Sequence, residues 1–372
     1  MKKISFSVVI PTNGRYELVE TLLQTLAVAR NCYPGDVEIL IIDSTEGQQT
    51  SKLQVLCAKT QARYLRCENN VCKKRNLGAR EAKNEIVLFT DSDCEVESNI
   101  FEQHENAYRI VGKNVGGVLG LTTVFGNTAP VWNSLKFDPA FTSSFSYARF
   151  LETAPWGTCT NISFRREVLI HVGGFDNNWP LVVYGEDVDL GLRMNELGFI
   201  IKCNPSAIVK HNSITIATYK QVFRKKFLCG RADYFLGKKH PTHLFPEFPG
   251  WPALMFLLLP VIIIKCLLLQ SFFALLYYFF CFWGGILFQA ILAAVENKSG
   301  VFSIFHQAMV ILFEATFESG RIFESVKHWQ IDRFWTKFVY ADRQLLGERK
   351  KRIQQMWAFL FLLFLVWTIT VL

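Results

Sequence analysis

The stretch Glu85-Ile-Val-Leu-Phe-Thr-Asp-Ser-Asp93 decides the fold, because a short apolar run ends there in two carboxylates. Two earlier runs have a similar form, Phe6-Ser-Val-Val-Ile-Pro11 and Val37-Glu-Ile-Leu-Ile-Ile-Asp43. A helical pattern with leucines at helical spacing, Tyr16 to Ala29, separates these two runs. Short apolar strands that alternate with helices predict a parallel α/β sheet.

Carboxylates stand at matching places in this pattern. Asp43 and Asp91 each follow an apolar strand, and ligands of such sheets collect outside the carboxyl ends of the strands. A single strand-end Asp is usually a turn or a helix cap, and a bare Asp-x-Asp is common by chance. Hard oxygen ligands suit Mg²⁺ or Mn²⁺. The position of Asp91-Ser-Asp93 therefore predicts a divalent-metal site at this edge of the sheet.

A second acidic cluster, Gly185-Glu-Asp-Val-Asp189, opens a short helical pattern that Gly198 can end. Acidic residues also stabilise the first turn of a helix, which is the simpler explanation. Three carboxylates so close together repel one another unless a cation or a function holds them. The cluster therefore predicts a functional site.

Composition divides the chain into a soluble half and a membrane half. Its 372 residues include 33 Phe and 9 Trp, which are denser after residue 250, and the net charge is +8. Basic residues bunch at 224–239 and 349–352, beside apolar segments, where they favour the cytoplasmic side of a membrane and anionic lipid. This accounts for the charge without nucleic acid as a partner.

The cysteines and the first residues indicate the compartment. Ten cysteines are scattered without a CxxC pair or a zinc-type spacing, which favours a reduced environment. The apolar run near Met1 is shorter than the roughly 7–15 residues of a signal peptide. We therefore expect the first half of the chain in the cytoplasm.

The apolar segment Pro249 to Val295 suits two membrane helices of roughly 20 residues, with a turn near Lys265 to Ser271. A buried soluble hairpin is the alternative, and the absence of charge from Phe272 to Val295 argues against it. A third span is predicted at Met356 to Leu372. Residues 301–329 suggest amphipathic helices on the membrane surface, and a fourth, irregular span there stays open.

Six motifs occur together in the first half of the chain. They are Ser7-Val-Val-Ile-Pro-Thr12, Ile41-Ile-Asp43, Arg75-Asn-Leu-Gly78, Phe89-Thr-Asp-Ser-Asp93, Gly173-Gly-Phe-Asp176 and Gly185-Glu-Asp187. In this order and approximate spacing they resemble the family 2 glycosyltransferases of the GT-A fold, over residues 4 to about 211. The resemblance implies an α/β, Rossmann-like, nucleotide-sugar-binding GT-A domain, followed here by a C-terminal α-helical transmembrane region.

The resemblance also implies roles for individual residues. Pro11, Thr12 and Asp43 would contact the nucleoside, Arg75 the base or diphosphate, and Asp91 the ribose or the metal. Asp93 would be the principal ligand of Mn²⁺ or Mg²⁺, and His211 resembles a histidine that completes the metal site in some relatives. Asp187 would be the catalytic base of an inverting reaction, with Glu186 orienting it or the acceptor.

Two further positions belong to the predicted site. Trp156 lies in a segment that resembles the family's acceptor side, where it could stack on a sugar or lipid headgroup or simply pack. Processive members carry Gln-x-x-Arg-Trp, and the nearest match here is Gln221-Val-Phe-Arg224-Lys225, in which Lys replaces Trp. That departure and the few spans argue against processivity.

The segment Gln221 to Lys239 instead suggests a helix at the membrane interface. Arg224 would contact lipid headgroups or the donor diphosphate. The aromatic side chains of this helix would lie in lipid, and they are Phe223, Phe227, Tyr234 and Phe235.

These inferences predict a non-processive, metal-dependent hexosyltransferase at the inner or plasma membrane, with its catalytic domain in the cytoplasm. It would take a nucleotide-sugar, a UDP-sugar being favoured, and a lipid, lipid-linked glycan or other amphiphilic acceptor. The predicted division is a catalytic domain at 1–215, an interfacial helix at 216–248, two membrane helices at 249–295, cytosolic or interfacial helices at 296–355 and a third span at 356–372.

Three alternatives stay open. One is transfer to polyprenyl phosphate, and another is a non-catalytic scaffold of a glycan assembly or export complex, which the intact Asp91, Asp93 and Asp187 disfavour. The third is a channel or transporter, which would need several spans with polar groups inside the membrane, whereas Lys265 and Gln270 could both lie in a turn. The oligomeric state and the identity of the sugar also stay open.

Overall fold

The structure is a computed structural model that describes residues 2–110, 114–126, 129–181, 184–270, 272–340 and 360. The chain forms two compact units. The first contains residues 1–127 and 140–215, and the second contains residues 128–139 and 216–372. The predicted third span at 356–372 lies outside the described residues, apart from Leu360.

The described elements are as follows in chain order. The strands are β1 (Phe6–Thr12), β2 (Val37–Asp43), β3 (Arg63–Arg66), β4 (Ile86–Phe89), β5 (Cys94–Val96), β6 (Val115–Phe125), β7 (Thr153–Ala154), β8 (Ile162–Arg165), β9 (Ile200–Asn212), β10 (Leu244–Pro246) and β11 (Thr336–Phe338). The helices are α1 (Tyr16–Cys32), α2 (Gln48–Lys59), α3 (Val71–Glu81), α4 (Ile100–Ile110), α5 (Val131–Leu135), α6 (Pro139–Phe150), α7 (Arg166–His171), α8 (Glu186–Glu196), α9 (Tyr219–Lys239), α10 (Trp251–Leu269), α11 (Phe273–Glu296) and α12 (Ile304–Lys327).

In the first unit, nine of the described strands form one sheet in the order β3-β2-β1-β4-β8-β6-β9-β5, and β7 pairs with β9. The four strands β3, β2, β1 and β4 run parallel to one another. Successive strands are added on one side of β1 as far as β3, and β4 is then added on the other side of β1. In open α/β sheets the ligand binds in the crevice at such a point, next to the carboxyl ends of the two strands, which here are β1 and β4. The predicted strands and the α/β class are confirmed.

The predicted parallel sheet is one part of a mixed sheet. β8 runs antiparallel to both β4 and β6, and β5 runs antiparallel to β9. β5 begins at Cys94, directly after the Asp91-Ser-Asp93 turn. Such short strands lack the long apolar runs that distinguish a buried parallel strand, so the pattern of the sequence did not reveal them.

One large cluster of the first unit's core lies on one face of the sheet, where alternate residues of β1 are buried against α1 and α4. Phe6 is fully buried and its ring packs against Tyr33 and Phe101. On the opposite face, Gly78 of α3 lies so close to Val9 that a Cβ there would be 2.3 Å from a Val9 methyl carbon. This close approach holds α3, and therefore Arg75 one turn earlier, against the end of the parallel strands.

In the second unit, α9 and α12 cross at two glycines. A Cβ on Gly230 would lie 1.7 Å from the carbonyl oxygen of Phe317, and one on Gly320 would lie 2.1 Å from that of Phe227. The two helix backbones therefore touch directly. The buried Glu324 binds Arg231 of α9 in the same contact.

We expect Gly230→Ala to destabilise the second unit by about 1–3 kcal/mol or more, because the added methyl group meets backbone rather than a movable side chain. Gly284→Ala is the matched control, since Gly284 is also helical but a Cβ there would contact nothing within 4 Å. Thermal unfolding of the purified full chain in detergent measures both variants. Equal melting temperatures for the two variants would contradict a tight crossing at Gly230.

Three of the described helical segments are long and apolar enough to cross a membrane: Trp251–Leu268, Phe273–Glu296 and Val301–Lys327. Only 28% of the residues in each of the first two segments are buried within the protein. Large apolar side chains are exposed on both, for example Leu268 and Phe280. α10 continues to Leu269, so Lys265 lies within the helix and not in the predicted turn.

The expected lipid contact of Tyr234 is wrong. Tyr234 is buried and donates a hydrogen bond to Gln330. The rings of Phe223 and Phe227 pack on Phe313 and Phe323 of α12, so these two side chains are only partly exposed. An amphipathic pattern does not tell whether an apolar stripe meets lipid or another helix, and here α12 covers it.

Candidate active site

The predicted metal-binding residues of the first unit are brought together by the pairing of β5 with β9. Cys94 lies opposite His211 in this antiparallel pair, and the Asn212 backbone N–H donates to the Asp93 carbonyl at 2.8 Å. His211 Nε2 therefore lies 3.5 Å from Asp93 Oδ1. The Asp93 carboxylate is buried, whereas the Asp91 side chain is 31% exposed.

These groups fit a divalent cation. One potential ligand atom from each of Asp93, Cys94 and His211 lies within 4.8 Å of the other two, and His211 Nδ1 is buried without a hydrogen-bond partner among the described residues. Burial raises the pKa of the Cys94 thiol, and the nearby Asp91 and Asp93 act in the same direction. The Asp93 carboxylate suits Mn²⁺ or Mg²⁺, and the His211 imidazole suits a transition-metal ion.

Arg75 joins the two acidic clusters that the sequence separates. Its Nη1 lies 2.7 Å from Glu186 Oε1, and its Nη2 lies 3.4 Å from Asp91 Oδ1. Arg75 and Glu186 are both buried, and the guanidinium stacks over the Phe175 ring. The strand-end carboxylates and the start of α8 therefore belong to one site.

The start of α8 presents Glu186 and Asp187. Its N-cap is Gly185 with φ 91°, a left-handed conformation that favours glycine, and Tyr184 before it has φ 77°. The Val188 backbone N–H donates to Asp187 Oδ1 at 2.9 Å. The tight turn thus places two acidic side chains at the N-terminus of the helix.

Asp187 has the electrostatics of a general base. Burial raises its pKa from 3.8 to about 7, and the charge of Glu186 acts in the same direction, while Arg75 and the Val188 N–H oppose the shift. A base whose pKa lies near neutral pH is efficient at removing a proton from a hydroxyl group. Its side chain keeps some exposure to solvent.

Asp43 ends β2 fully buried, and its carboxylate is held from several sides. Its Oδ1 accepts from the Thr45 N–H at 2.8 Å, and its Oδ2 accepts from the Tyr64 hydroxyl at 2.8 Å and from Arg66 at 3.5 Å. The parallel register of β2 and β3 pairs Asp43 with Arg66. Each carboxylate oxygen has two lone pairs, but a nucleobase would share Asp43 with these partners.

Thr12 ends β1 beside Asp43 in the same sheet, and Pro11 precedes it half-buried. The Thr12 hydroxyl donates to the Gly14 carbonyl at 3.0 Å, and the Thr12 carbonyl accepts from Lys74 Nζ at 2.7 Å. Burial lowers the pKa of Lys74 to about 8, and the charge of Asp43 partly offsets this shift. Lys74 therefore brings a second basic group of α3 to the predicted nucleoside site.

Trp156 lies in the first unit but is buried. Its ring meets Tyr147 edge-on at 5.5 Å, and a Cβ on Gly191 of α8 would lie 2.6 Å from the Trp156 backbone. Trp156 therefore packs against α8, which favours a structural role for its side chain over stacking on a sugar. Arg224 is exposed on α9, in the second unit.

Two side chains at the site, those of Arg15 and Cys159, belong to none of the motifs that predict the site from the sequence. Arg15 Nη1 lies 2.8 Å from Asp93 Oδ2, and the left-handed backbone that orients Arg15 leaves no pattern in the sequence. Cys159 is buried, and burial raises the pKa of its thiol, with Asp187 and Glu186 adding to the shift and Arg75 opposing it. Cys159 lies in the Trp156 segment, where a single cysteine suggests no role.

Sheet order and site together define the class as a GT-A-type glycosyltransferase fold. A mannosyltransferase from Pyrobaculum calidifontis, solved in complex with GDP-Man and Mn²⁺, has a similar fold, with a TM-score of 0.50 and 15% identity over 86% of this chain and 88% of its own. Residues 7–173 match the family model described as glycosyl transferase family 2. This part of the chain is therefore similar to that family, in agreement with the six sequence motifs.

Curated relatives match in the same region. The chain is 28% identical to the O-antigen biosynthesis protein RfbC of Myxococcus xanthus over 250 residues, which cover 62% of this chain. It is 27% identical to the chondroitin synthase of Pasteurella multocida (strain Pm70) over 244 residues, which cover 56% of this chain. The matched parts are 18% and 25% of the lengths of these two relatives.

Proposed function

We propose that this chain is a metal-dependent, inverting glycosyltransferase that moves a single sugar from a nucleotide-diphosphate sugar to a membrane-associated acceptor. The observation that carries the proposal is the pair of ionic contacts that Arg75 makes. These contacts join Asp91, which belongs to the predicted metal-binding motif, to Glu186 at the acidic start of α8. A sugar transfer needs a cation for the leaving diphosphate and a base for the acceptor hydroxyl. This site has candidates for both.

The roles within the site follow from its geometry. Asp93 and His211 would hold Mn²⁺ or Mg²⁺, with Asp91 at the exposed side of the same cluster. The ion would supply positive charge to the departing diphosphate. Asp187 would take the proton of the acceptor hydroxyl, and Glu186, fixed by Arg75, would add to the negative field that keeps Asp187 basic.

The membrane part of the proposal rests on the α10–α11 hairpin. Its exposed apolar side chains would be costly in water, whereas a bilayer accommodates them. The named activities of the curated relatives, O-antigen biosynthesis and chondroitin synthesis, fit a glycan or glycolipid acceptor. We propose the cytoplasmic face for the catalytic domain, because the basic residues of α9 favour that side.

The single-sugar part depends on α9. Gln221, in the position of the processive motif's glutamine, forms a capping box with Thr218 at the start of this helix. Gln221 therefore caps the N-terminus of the helix. Lys225 follows Arg224 at the position where a processive enzyme has Trp. Both features favour transfer without chain extension.

Mass spectrometry of products tests this function. Purified full-length protein in nanodiscs would be given UDP-, GDP- and dTDP-sugars with Mn²⁺ and a membrane-lipid extract. We expect a lipid product one sugar heavier than its acceptor, absent with Asp93→Asn. A ladder of products would contradict single transfer, and consumption of donor without any glycosylated lipid would contradict the membrane acceptor.

A further inference from the structure

Arg15 is the cationic partner of the residue that should bind the metal. Its Nη1 lies 2.8 Å from Asp93 Oδ2, whereas His211 lies on the side of Asp93 Oδ1. The Asp93 side chain is 4% exposed and that of Arg15 is 42% exposed. The guanidinium therefore reaches a buried carboxylate from the solvent side, and it can withdraw without breaking the core.

The backbone holds Arg15 in an unusual conformation. Gly14 and Arg15 both have positive φ, 75° and 60°, and such a conformation is costly for a residue with a side chain. The Thr12 hydroxyl donates to the Gly14 carbonyl, and the Gly14 N–H donates to Thr45 Oγ1. These bonds fix the turn between β1 and α1, so that the Arg15 side chain leaves it toward the end of β4.

Charge at the site is already balanced in part by arginine. Arg75 pairs with both Asp91 and Glu186, and Arg15 pairs with Asp93. A divalent cation at Asp93 and His211 would lie next to the Arg15 guanidinium, and like charges so close repel each other. The metal and the guanidinium therefore compete for the same carboxylate.

We propose that Arg15 is an internal counter-cation that competes with the divalent metal for Asp93 and transfers to the diphosphate of the nucleotide when metal and nucleotide bind together. This rests on the proposed function. A guanidinium pairs well with phosphate oxygens, so the nucleotide supplies the new partner that Arg15 needs. Metal and nucleotide then bind cooperatively, and each raises the affinity for the other by the same factor.

Mn²⁺ titration followed by electron paramagnetic resonance of the free ion tests the proposal without turnover. The protein is the purified full chain, with and without UDP or GDP. Without nucleotide, we expect Arg15→Gln to bind Mn²⁺ about tenfold more tightly than the unaltered chain. Nucleotide should raise the Mn²⁺ affinity of the unaltered chain, and in Arg15→Gln we expect this increase to be about tenfold smaller. A factor of this size lies within the usual range of coupling between two binding sites.

Two variants serve as controls. Arg15→Lys keeps the positive charge and should bind Mn²⁺ nearly as weakly as the unaltered chain. Arg63→Gln makes the same change of charge at an arginine that pairs with Glu38 and Glu81 instead, and it should leave Mn²⁺ affinity unchanged. Melting temperatures near that of the unaltered chain would show that each variant is folded.

The outcomes separate this inference from the proposed function. If Arg15→Gln binds Mn²⁺ no more tightly than the unaltered chain, or if nucleotide still raises its Mn²⁺ affinity by the full factor, Arg15 is not a competing counter-cation. If Asp93→Asn leaves Mn²⁺ affinity unchanged and no nucleotide-sugar is consumed, the proposed function itself fails. Turnover with an unchanged Arg15→Gln titration would overturn only the role of Arg15.

Discussion

Replacing Asp187 with Asn should lower kcat/KM for sugar transfer by about 10²–10⁴-fold, the range that a positioned general base contributes. Asn keeps the shape of the side chain but cannot accept the proton of the acceptor hydroxyl. Glu186 does not substitute for it, because its carboxylate is buried against Arg75. Initial rates at saturating Mn²⁺ measure the effect, and a loss smaller than about tenfold would rule out Asp187 as the base.

The same residue predicts the pH dependence. The base acts in its ionised form and its pKa is raised to about 7, so kcat/KM should climb about tenfold per pH unit below pH 7 and level off above it. A profile that stays flat between pH 5 and about 8 would contradict this assignment.

Stability distinguishes lost chemistry from a damaged fold. Between 3.8 and about 7 the folded state retains a proton on Asp187 that the unfolded chain has released, so stability should fall as pH rises through this window. Asp187→Asn removes this penalty. At pH 8 its melting temperature should equal or exceed that of the unaltered chain, although its activity is lost.

Arg75→Ala should destabilise the first unit by about 3–5 kcal/mol, because it leaves the buried Glu186 carboxylate without its cation. Lys210→Ala is the control, since Lys210 and its partner Glu97 are both largely exposed and such a pair contributes about 0–1 kcal/mol. Chemical unfolding followed by circular dichroism measures both variants.

A second substitution shows that charge is the cause. Glu186→Gln introduced into the Arg75→Ala variant removes the stranded negative charge and should recover part of the lost stability. If Arg75→Ala costs no more than Lys210→Ala, or if Glu186→Gln lowers stability further, the bridge between the two acidic clusters does not hold the site together.

The part of the fold that determines the site could be read from local pattern. The apolar runs that end at Asp43 and Asp91 identify buried strands and the edge of the sheet where ligands collect. The acidic start of α8 was also evident, because Gly185 and the carboxylates after it are consecutive in the sequence. These features depend on neighbours in sequence, which a pattern records directly.

Features that depend on distant pairing could not be read in this way. Arg66 meets Asp43 through the register of two strands, and Arg75 meets Glu186 only after the helices are packed. Tyr234 has the same apolar character whether lipid covers it or the residues that follow α12. The residue assignments, the domain boundaries and the orientation across the membrane stay predictions.

The most direct measurement of the central claim is release of nucleoside diphosphate by the purified full chain from UDP-, GDP- and dTDP-sugars, with Mn²⁺, with Mg²⁺ and with a chelator. We predict that at least one donor is consumed, that consumption stops when the metal is removed, and that Asp93→Asn lowers the rate about 100-fold or more. Arg63→Gln should behave like the unaltered chain. Consumption of no donor, or equal rates for Asp93→Asn and the unaltered chain, would contradict the assignment of this site to sugar transfer.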